Sequence, residues 1–273
     1  MSQRLTRPAD HDDRAAPVEF SHVSVGYNGA SALSDLCFSV SVGERVAVVG
    51  PNGAGKTTLL KVVAGTLRPS SGSVRVFGHK PGGDVCIAYV PQRSQIDMNF
   101  PVTVSEVVMM GRIRQIGLFR WPSKQDWRDV RQALVRVGMH DLAGRQIGEL
   151  SGGQQQRAFL AQALVQQAEL ILLDEPLTGL DIPSQEAIFT LLDGVREQGI
   201  SVLVSTHDLN LAAERFDRVL LLNRRLVAYG PPGQVFTRPF LLQAYGGHMH
   251  LLPEEDGVMV LTDTCCEGEE QET

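Results

Sequence analysis

The sequence predicts an α/β fold with a parallel sheet at its core, an antiparallel β subdomain ahead of that core and an all-helical subdomain inserted into it. Three stretches carry the prediction. Residues 45–65, RVAVVGPNGAGKTTLLKVVAG, run as an apolar strand, a glycine-rich turn and a helix closed by Gly65. Residues 170–173 and 200–206 are further apolar runs with the continuous character of strands buried on both faces. From about 95 to 165 the apolar residues recur at helical spacing instead.

At 273 residues and 43% hydrophobic content the chain can build one large domain or two small ones around a sizeable core. No apolar run approaches the roughly 18 residues of a membrane span, and residues 1–16 lack the apolar centre of a signal peptide. The expected compartment is cytoplasmic. The net charge of −6 is concentrated at one end. Residues 253–273 hold eight carboxylates and no Lys or Arg, leaving 25 basic against 23 acidic residues, about +2, in the first 252. A body so near neutrality gives no basis for a nucleic-acid partner. Four cysteines fit a reducing compartment. Cys37 and Cys86 stand in apolar, strand-like surroundings and read as core. Cys265 and Cys266 lie in the acidic tail, where plain solvation is the simpler reading and metal binding or oxidation the other.

Residues 1–16 are polar and expected to form a flexible tail. From Val18, VEFSHVSVGYNG and then SALSDLCFSVSVGE read as two strands and a turn. Tyr27 has two readings there: a tyrosine at a hairpin edge, or a ring that stacks on a purine, worth roughly 1 to 3 kcal/mol in comparable base contacts. The glycine turn then satisfies G-x-x-x-x-G-K-[ST] with Gly50, Pro51, Asn52, Gly53, Ala54, Gly55, Lys56 and Thr57. Backbone N–H groups of such a loop wrap a polyphosphate, and small residues at Gly53 and Ala54 let the chain approach the oxygens. The helix N-terminus points its positive end there, Lys56 adds a mobile cation, and the Thr57 hydroxyl can hold Mg²⁺.

After Gly65, SVRVFG and VCIAYV are strand candidates, the second running into Pro91 and Gln92. Thr103 with Glu106 makes a capping box for a helix ending at Gly111, and Trp127, Val130, Leu134 and Val137 form an apolar stripe before Gly138. Between these helices MMGRIRQIGLFRWPSK mixes Leu118, Phe119 and Trp121 with Arg112, Arg114 and Arg120. That is either packing or an aromatic and basic surface on which another subunit docks. LSGGQQQR at 150–157 opens the last helix of the insertion. Ser151 and Gln154 have capping-box spacing, yet Gly152 and Gly153 each cost up to about 1 kcal/mol against alanine in a helix. Two glycines there expose N–H groups to an incoming anion; an ordinary capped helix is the local alternative.

The 170–173 run ends in Asp174, Glu175 and Pro176. Ligands gather at the carboxyl ends of parallel strands. Asp174 can support Mg²⁺ together with Thr57, and Glu175 can orient or deprotonate a water; two exposed strand-end acids are the plain alternative. TGLDIPSQ makes a turn with Asp181 at the cap of a helix, Pro183 in its first turn and an apolar face of Ile188, Leu191, Leu192 and Val195. Gly199 ends it, and ISVLVST leads to His207 and Asp208; a lone histidine at a strand end is more often structural, but this one is expected at the sheet edge of Asp174 and Glu175, where it could donate to a terminal phosphate. RVLLLNRRLVAYG completes the sheet as a strand pair, and PPGQVF begins a short terminal helix. His248 and His250 flank Met249, but without a nearby acid or thiol they are weak metal ligands.

Taken together, residues 50–57, Gln92, LSGGQ at 150–154, LILLDEP at 170–176, GLD at 179–181 and His207 resemble the ATP-binding subunit of ABC transporters, over about residues 18–246. The resemblance implies a P-loop (RecA-like) core in a domain at 17–246, with the helical subdomain at about 95–165 and an acidic C-terminal tail at 247–273. It implies a homodimer that sandwiches two ATP molecules head to tail, each site built from the glycine loop of one copy and the LSGGQ helix of the other. In that arrangement Tyr27 stacks on adenine, while Lys56, Thr57 and Thr58 hold phosphates and Mg²⁺, with Asp174. Gln92 senses the γ-phosphate, its metal and the membrane partner, Glu175 acts as general base, and His207 positions the γ-phosphate. Ser151, Gly152, Gly153 and Gln154 bind the partner copy's nucleotide, and Asp181 lies at the dimer seam.

Within the family, YVPQRSQIDMNFPVTVSEVVMMGR and VGMHDLAGRQIGELSGGQQQR are most similar to importers of manganese, zinc or iron. Such a subunit works on the inner face of the cell membrane with a multi-spanning permease and an extracytoplasmic metal-binding protein. A siderophore or haem cargo is an alternative, as is a soluble ATP-dependent interaction protein. The single nucleotide-binding unit speaks against soluble relatives that carry two in one chain.

Overall fold

The computed structural model describes residues 15–27, 29–82, 87–95, 100–117 and 119–246, and the backbone alone of 249–252 and 260–263. Strands β1 (Val18–Tyr27) and β2 (Ala30–Val40) pair antiparallel. Next comes β3 (Arg45–Val49), which feeds the glycine loop and α1 (Lys56–Val63). The chain then returns through β4 (Ser71–Arg75) to the free edge of β1, giving a three-stranded sheet in the order β2-β1-β4.

The main sheet adds β5 (Ile87–Val90), β6 (Leu170–Asp174), β7 (Ser201–Thr206), β8 (Arg218–Asn223) and β9 (Arg225–Gly230). Its order is β5-β6-β7-β3-β8-β9, parallel throughout except for the final β8–β9 pair. The inner strands β3, β6 and β7 are buried on both faces, so apolar residues fill most of their positions. Val46 and Val48 of β3, Leu170 and Leu172 of β6 and Leu203 of β7 point into one layer, shared with α1 and the antiparallel sheet. Ala47, Val49, Ile171, Leu173, Val202 and Val204 point into the other, shared with the helices.

Those helices begin with α2 (Val104–Met110), α3 (Ile113–Ile116), α4 (Lys124–Arg136) and α5 (Gly152–Val165), all lying between β5 and β6 in the chain. Capping boxes start three of them: Thr103 with Glu106, Ser123 with Asp126, and Ser151 with Gln154. After β6 come α6 (Ile182–Arg196) and α7 (Leu209–Arg215). The short α8 (Pro232–Val235) follows the sheet as expected, and α9 (Arg238–Tyr245), not anticipated from the pattern, ends at Gly246 with φ +68°. Ile188, Leu192 and Val195 of α6 are buried as its periodicity predicts, with Leu191 half-buried beside them.

Three expectations change. The buried face of α4 is Asp126, Val130, Ala133 and Leu134, while Trp127 is 47% exposed. The cause is Arg112, whose guanidinium is drawn inward by Asp126 at 3.0 and 3.1 Å and by Asp129 at 3.3 Å, turning the neighbouring Trp127 outward. Arg112 is therefore an internal anchor and no part of a basic surface. Cys37, expected in the core, is exposed, because it occupies the outward face of β2. In the segment read as an acidic tail, β10 (Met249–Leu252) pairs antiparallel with β11 (Val260–Asp263). Leu118, Cys86, Cys265, Cys266 and His248 lie outside the described residues, as does the side chain of His250.

Candidate active site

Sheet register assembles the site. Val49 of β3 lies opposite Thr206 of β7, and Ser205 opposite Asp174 of β6. Gly50, His207 and Glu175, each the next residue after its strand, thus leave the sheet at one carboxyl edge although the chain separates them widely. A ligand on a parallel sheet binds at such an edge.

The glycine loop is shaped by close approach. A Cβ on Gly50 would sit 2.1 Å from the Leu222 carbonyl oxygen, and Gly55, at φ +99°, has the Leu33 side chain where a Cβ would go, at 2.6 Å. Ala54 is buried, and its carbonyl accepts from the Arg224 N–H at 2.8 Å, whereas Asn52 and Gly53 are exposed and Pro51 half-buried. Lys56 folds back over the loop, donating from Nζ to the carbonyls of Gly50 at 2.7 Å and Pro51 at 3.2 Å. Burial pushes its pKa down, an effect that the Glu175 and Asp174 carboxylates oppose. Thr57 and Thr58 follow in the first turn of α1, both half-buried.

Asp174 is buried and accepts from Ser205 Oγ at 2.6 Å and from the Tyr89 hydroxyl at 3.4 Å. Burial pushes the Tyr89 pKa upward, and the Asp174 charge adds to the shift, so this hydroxyl stays a donor. Glu175 leaves the strand with φ +48°, an unusual conformation for a residue with a side chain. Its N–H donates to Ser205 Oγ at 2.9 Å, and its carboxylate accepts from Gln92 Nε2 at 3.0 Å and from Thr178 Oγ1 at 3.4 Å. A partly open cleft of about 150 Å³ lies against this carboxylate, lined also by Gly179, Thr206, His207 and Asp208.

Tyr27 stands apart at the end of β1, 45% exposed. Ser151 caps α5 and is exposed; Gln154 is held in its capping box at 3.0 Å. Asp181 caps α6 by accepting from Ser184 N–H at 3.2 Å. Gly152 and Gly153 have a reason to be glycine within the single chain. A Cβ on Gly153 would meet Ser184 Oγ at 2.4 Å and its Cβ at 2.8 Å, and one on Gly152 would meet Arg93 Nη1 at 2.8 Å. Sequence reasoning missed Ser205, Tyr89, Thr178 and Ser184; Ser205 is one of three hydroxyl residues in the run 200–206, with nothing local to single it out.

A family profile described as ABC transporter (ABC_tran) matches residues 33–178, from β2 through the loop after Asp174. The chain belongs to the ABC transporter family. Accordingly it binds ATP and is an ATPase, with the mixed architecture of ATP-binding cassettes. It is 44% identical over 240 residues to the manganese transport system ATP-binding protein MntB of Bacillus subtilis, covering 88% of this chain and 96% of that one. With the zinc transport system ATP-binding protein TroB of Treponema pallidum it shares 45% over 236 residues, 86% of this chain and 89% of that protein. Among solved structures it resembles cbiO1 of Clostridium perfringens, part of the ABC transporter complex cbiONQ, with a TM-score of 0.70, 27% identity and coverage of 84% and 94%. It also resembles the dimeric ATP-binding cassette MJ0796 bound to ADP and Pi, with a TM-score of 0.70, 26% identity and coverage of 79% and 98%. Among the described residues of this ABC chain no helix is long and apolar enough to cross a membrane.

Proposed function

We propose that this chain is the ATP-hydrolysing subunit that energises import of a transition metal, manganese, zinc or iron, through a membrane ABC transporter. The observation that carries the reading is the single sheet edge at which Gly50, Asp174, Glu175 and His207 meet, combined with 44–45% identity to manganese and zinc transport subunits. The partners are a second copy of this chain, a multi-spanning permease on whose cytoplasmic side the dimer sits, and an extracytoplasmic metal-binding protein.

Phosphates lie against the loop N–H groups and Lys56, with Thr57 and Thr58 at their base. Mg²⁺ prefers hard oxygen donors, and Asp174, the Thr57 hydroxyl and the Gln92 amide oxygen are of that kind. Asp174 retains lone pairs beyond those given to Ser205 and Tyr89, so the set fits. When bound, the ion would neutralise charge on the phosphates. Glu175 takes the proton of an attacking water, and His207 donates to the γ-phosphate. Tyr27 stacks on the adenine. Ser151, Gly152, Gly153 and Gln154 reach the nucleotide of the other copy, and Asp181 lies beside them. ATP then closes two copies and hydrolysis lets them part, a two-state element that a permease can read. The ATP-binding domain is taken as 17–246, with the helical subdomain at about 95–165.

Gene deletion with assay of cellular manganese, zinc and iron, together with purification of the tagged chain from membranes, tests the proposal. Loss of one metal's accumulation and recovery of a multi-spanning subunit are expected. Unaltered metals, or failure only of siderophore or haem uptake, would overturn the cargo; recovery without any membrane subunit would overturn the transport role.

A further inference from the structure

Asp35 and Cys37 stand two residues apart on β2 and share its outward face. Opposite them β1 bulges: pairing steps from Phe20↔Phe38 to Val23↔Leu36, so Ser21 and His22 together face Cys37 alone. The extra residue brings His22 onto the same face. Its Nδ1 lies 2.7 Å from Asp35 Oδ1, and its backbone N–H donates to Cys37 Sγ at 3.1 Å. One donor atom from each of His22, Asp35 and Cys37 falls within 4.8 Å of the other two.

Both His22, at φ +51°, and Asp35, at φ +53°, hold left-handed backbone, a conformation that residues with side chains normally avoid. The bulge is fixed from its other side by Gly72, at φ +79°, where a Cβ would meet the His22 carbonyl oxygen at 2.2 Å. His and Asp tolerate left-handed backbone better than most residues. Cys37 is the unusual member: cysteine is among the most buried residue types, yet here it is exposed, with its sulfur receiving the His22 N–H of the bulge.

We infer that His22, Asp35 and Cys37 form a binding site for a zinc-class divalent cation, with imidazole, carboxylate and thiolate as ligands and water completing a tetrahedron. The mixture of nitrogen, oxygen and sulfur suits zinc and its borderline neighbours and does not suit Mg²⁺. Bonds of about 2.0 to 2.3 Å place tetrahedral donors roughly 3.2 to 3.8 Å apart. The His22–Asp35 pair therefore opens slightly and Cys37 closes in, motions available to exposed side chains on a fixed backbone. Bound there, the ion ties β1 to β2 five residues ahead of Tyr27. The inference rests on these three side chains and stands whatever the transporter carries.

The test uses the nucleotide-free, full-length chain with Cys265→Ser and Cys266→Ser, so that tail thiols contribute nothing. Titration with Co²⁺ is expected to give a thiolate-to-metal charge-transfer band saturating at one equivalent, displaced by Zn²⁺. The band is lost in Cys37→Ser, an exposed and nearly isosteric change, and in His22→Asn. Zn²⁺ also raises the thermal midpoint of the parent and leaves that of Cys37→Ser unmoved. Absence of the band, or its survival in either variant, overturns the site and leaves His22 and Asp35 as a simple ion pair.

Discussion

The Ser205 hydroxyl donates a 2.6 Å hydrogen bond to the Asp174 carboxylate and accepts one of 2.9 Å from the Glu175 N–H. One side chain on β7 thereby fixes both acids at the end of β6, and it holds Glu175 in a backbone conformation that a side chain normally avoids. Ser205→Ala leaves Asp174 buried with one donor fewer, a loss of roughly 1.5 to 3 kcal/mol for a bond to a charged group. ATPase turnover is expected to fall about 10- to 100-fold, the effect of losing a partner that orients a metal ligand. Ser205→Thr, which keeps the hydroxyl, restores it. Steady-state hydrolysis measured across Mg²⁺ concentrations checks the claim; equal rates in the parent and in Ser205→Ala would remove the hydroxyl from the site's support.

Glu175→Gln keeps the size of the side chain that meets Gln92 and Thr178 while removing the base. ATP binding is expected to persist and turnover to drop by about 10² to 10⁴, as for a lost general base. Single-turnover hydrolysis beside equilibrium nucleotide binding separates the two effects.

Gly153 and Gly152 differ in what surrounds them. A methyl at Gly153 meets Ser184 Cβ, which no rotamer change moves, whereas one at Gly152 meets the end of the Arg93 side chain, which can swing away. Gly153→Ala is expected to cost about 1 to 3 kcal/mol as overpacking, and Gly152→Ala markedly less. Urea unfolding midpoints rank them, and Ser184→Gly should recover the loss in Gly153→Ala but add nothing to Gly152→Ala.

Asp126 joins the Ser123 cap to the Arg112 guanidinium. The Ser123 hydroxyl first, then the Ser123 N–H and the Arg112 guanidinium, hold its carboxyl below the usual carboxylate range against the opposing effect of burial. Because the folded pKa is depressed, the stabilisation is complete above the unfolded carboxylate pKa of about 3.9 and disappears as pH falls through the native value. The stability gap between the parent and Asp126→Asn is therefore expected to be largest at neutral pH and to narrow below about pH 4. Arg112→Ala strands two acids, at a cost of roughly 3 to 5 kcal/mol at neutral pH.

Phe119 and Trp121 are 99% and 94% exposed, beside the exposed Arg120. If this surface carries the permease, Phe119→Ser with Trp121→Ser abolishes co-purification from membranes and leaves soluble ATPase turnover unchanged. Retained co-purification would place the contact elsewhere.

The main sheet was legible because its strands are buried on both faces: runs such as 46–49 and 170–173 have no polar position to disguise them. The glycine loop was legible because only glycine fits where Gly50 meets Leu222 and Gly55 meets Leu33, so the local pattern records a steric demand. Trp127 misled because its spacing fits the stripe, while the charge that displaced it from the interior comes from Arg112, in the turn between α2 and α3. Cys37 misled because an apolar neighbourhood along the chain does not say which face of a strand a residue takes.

By itself the sequence determined the phosphate loop, the capped helices and the acidic strand end, each a matter of residues within a few positions of one another. Only the tertiary structure decided that β7 lies between β3 and β6, which brings Ser205 to Asp174. The order of strands in a parallel sheet is set by how crossover helices pack over its two faces, and that packing is a property of the whole chain which no single stretch records.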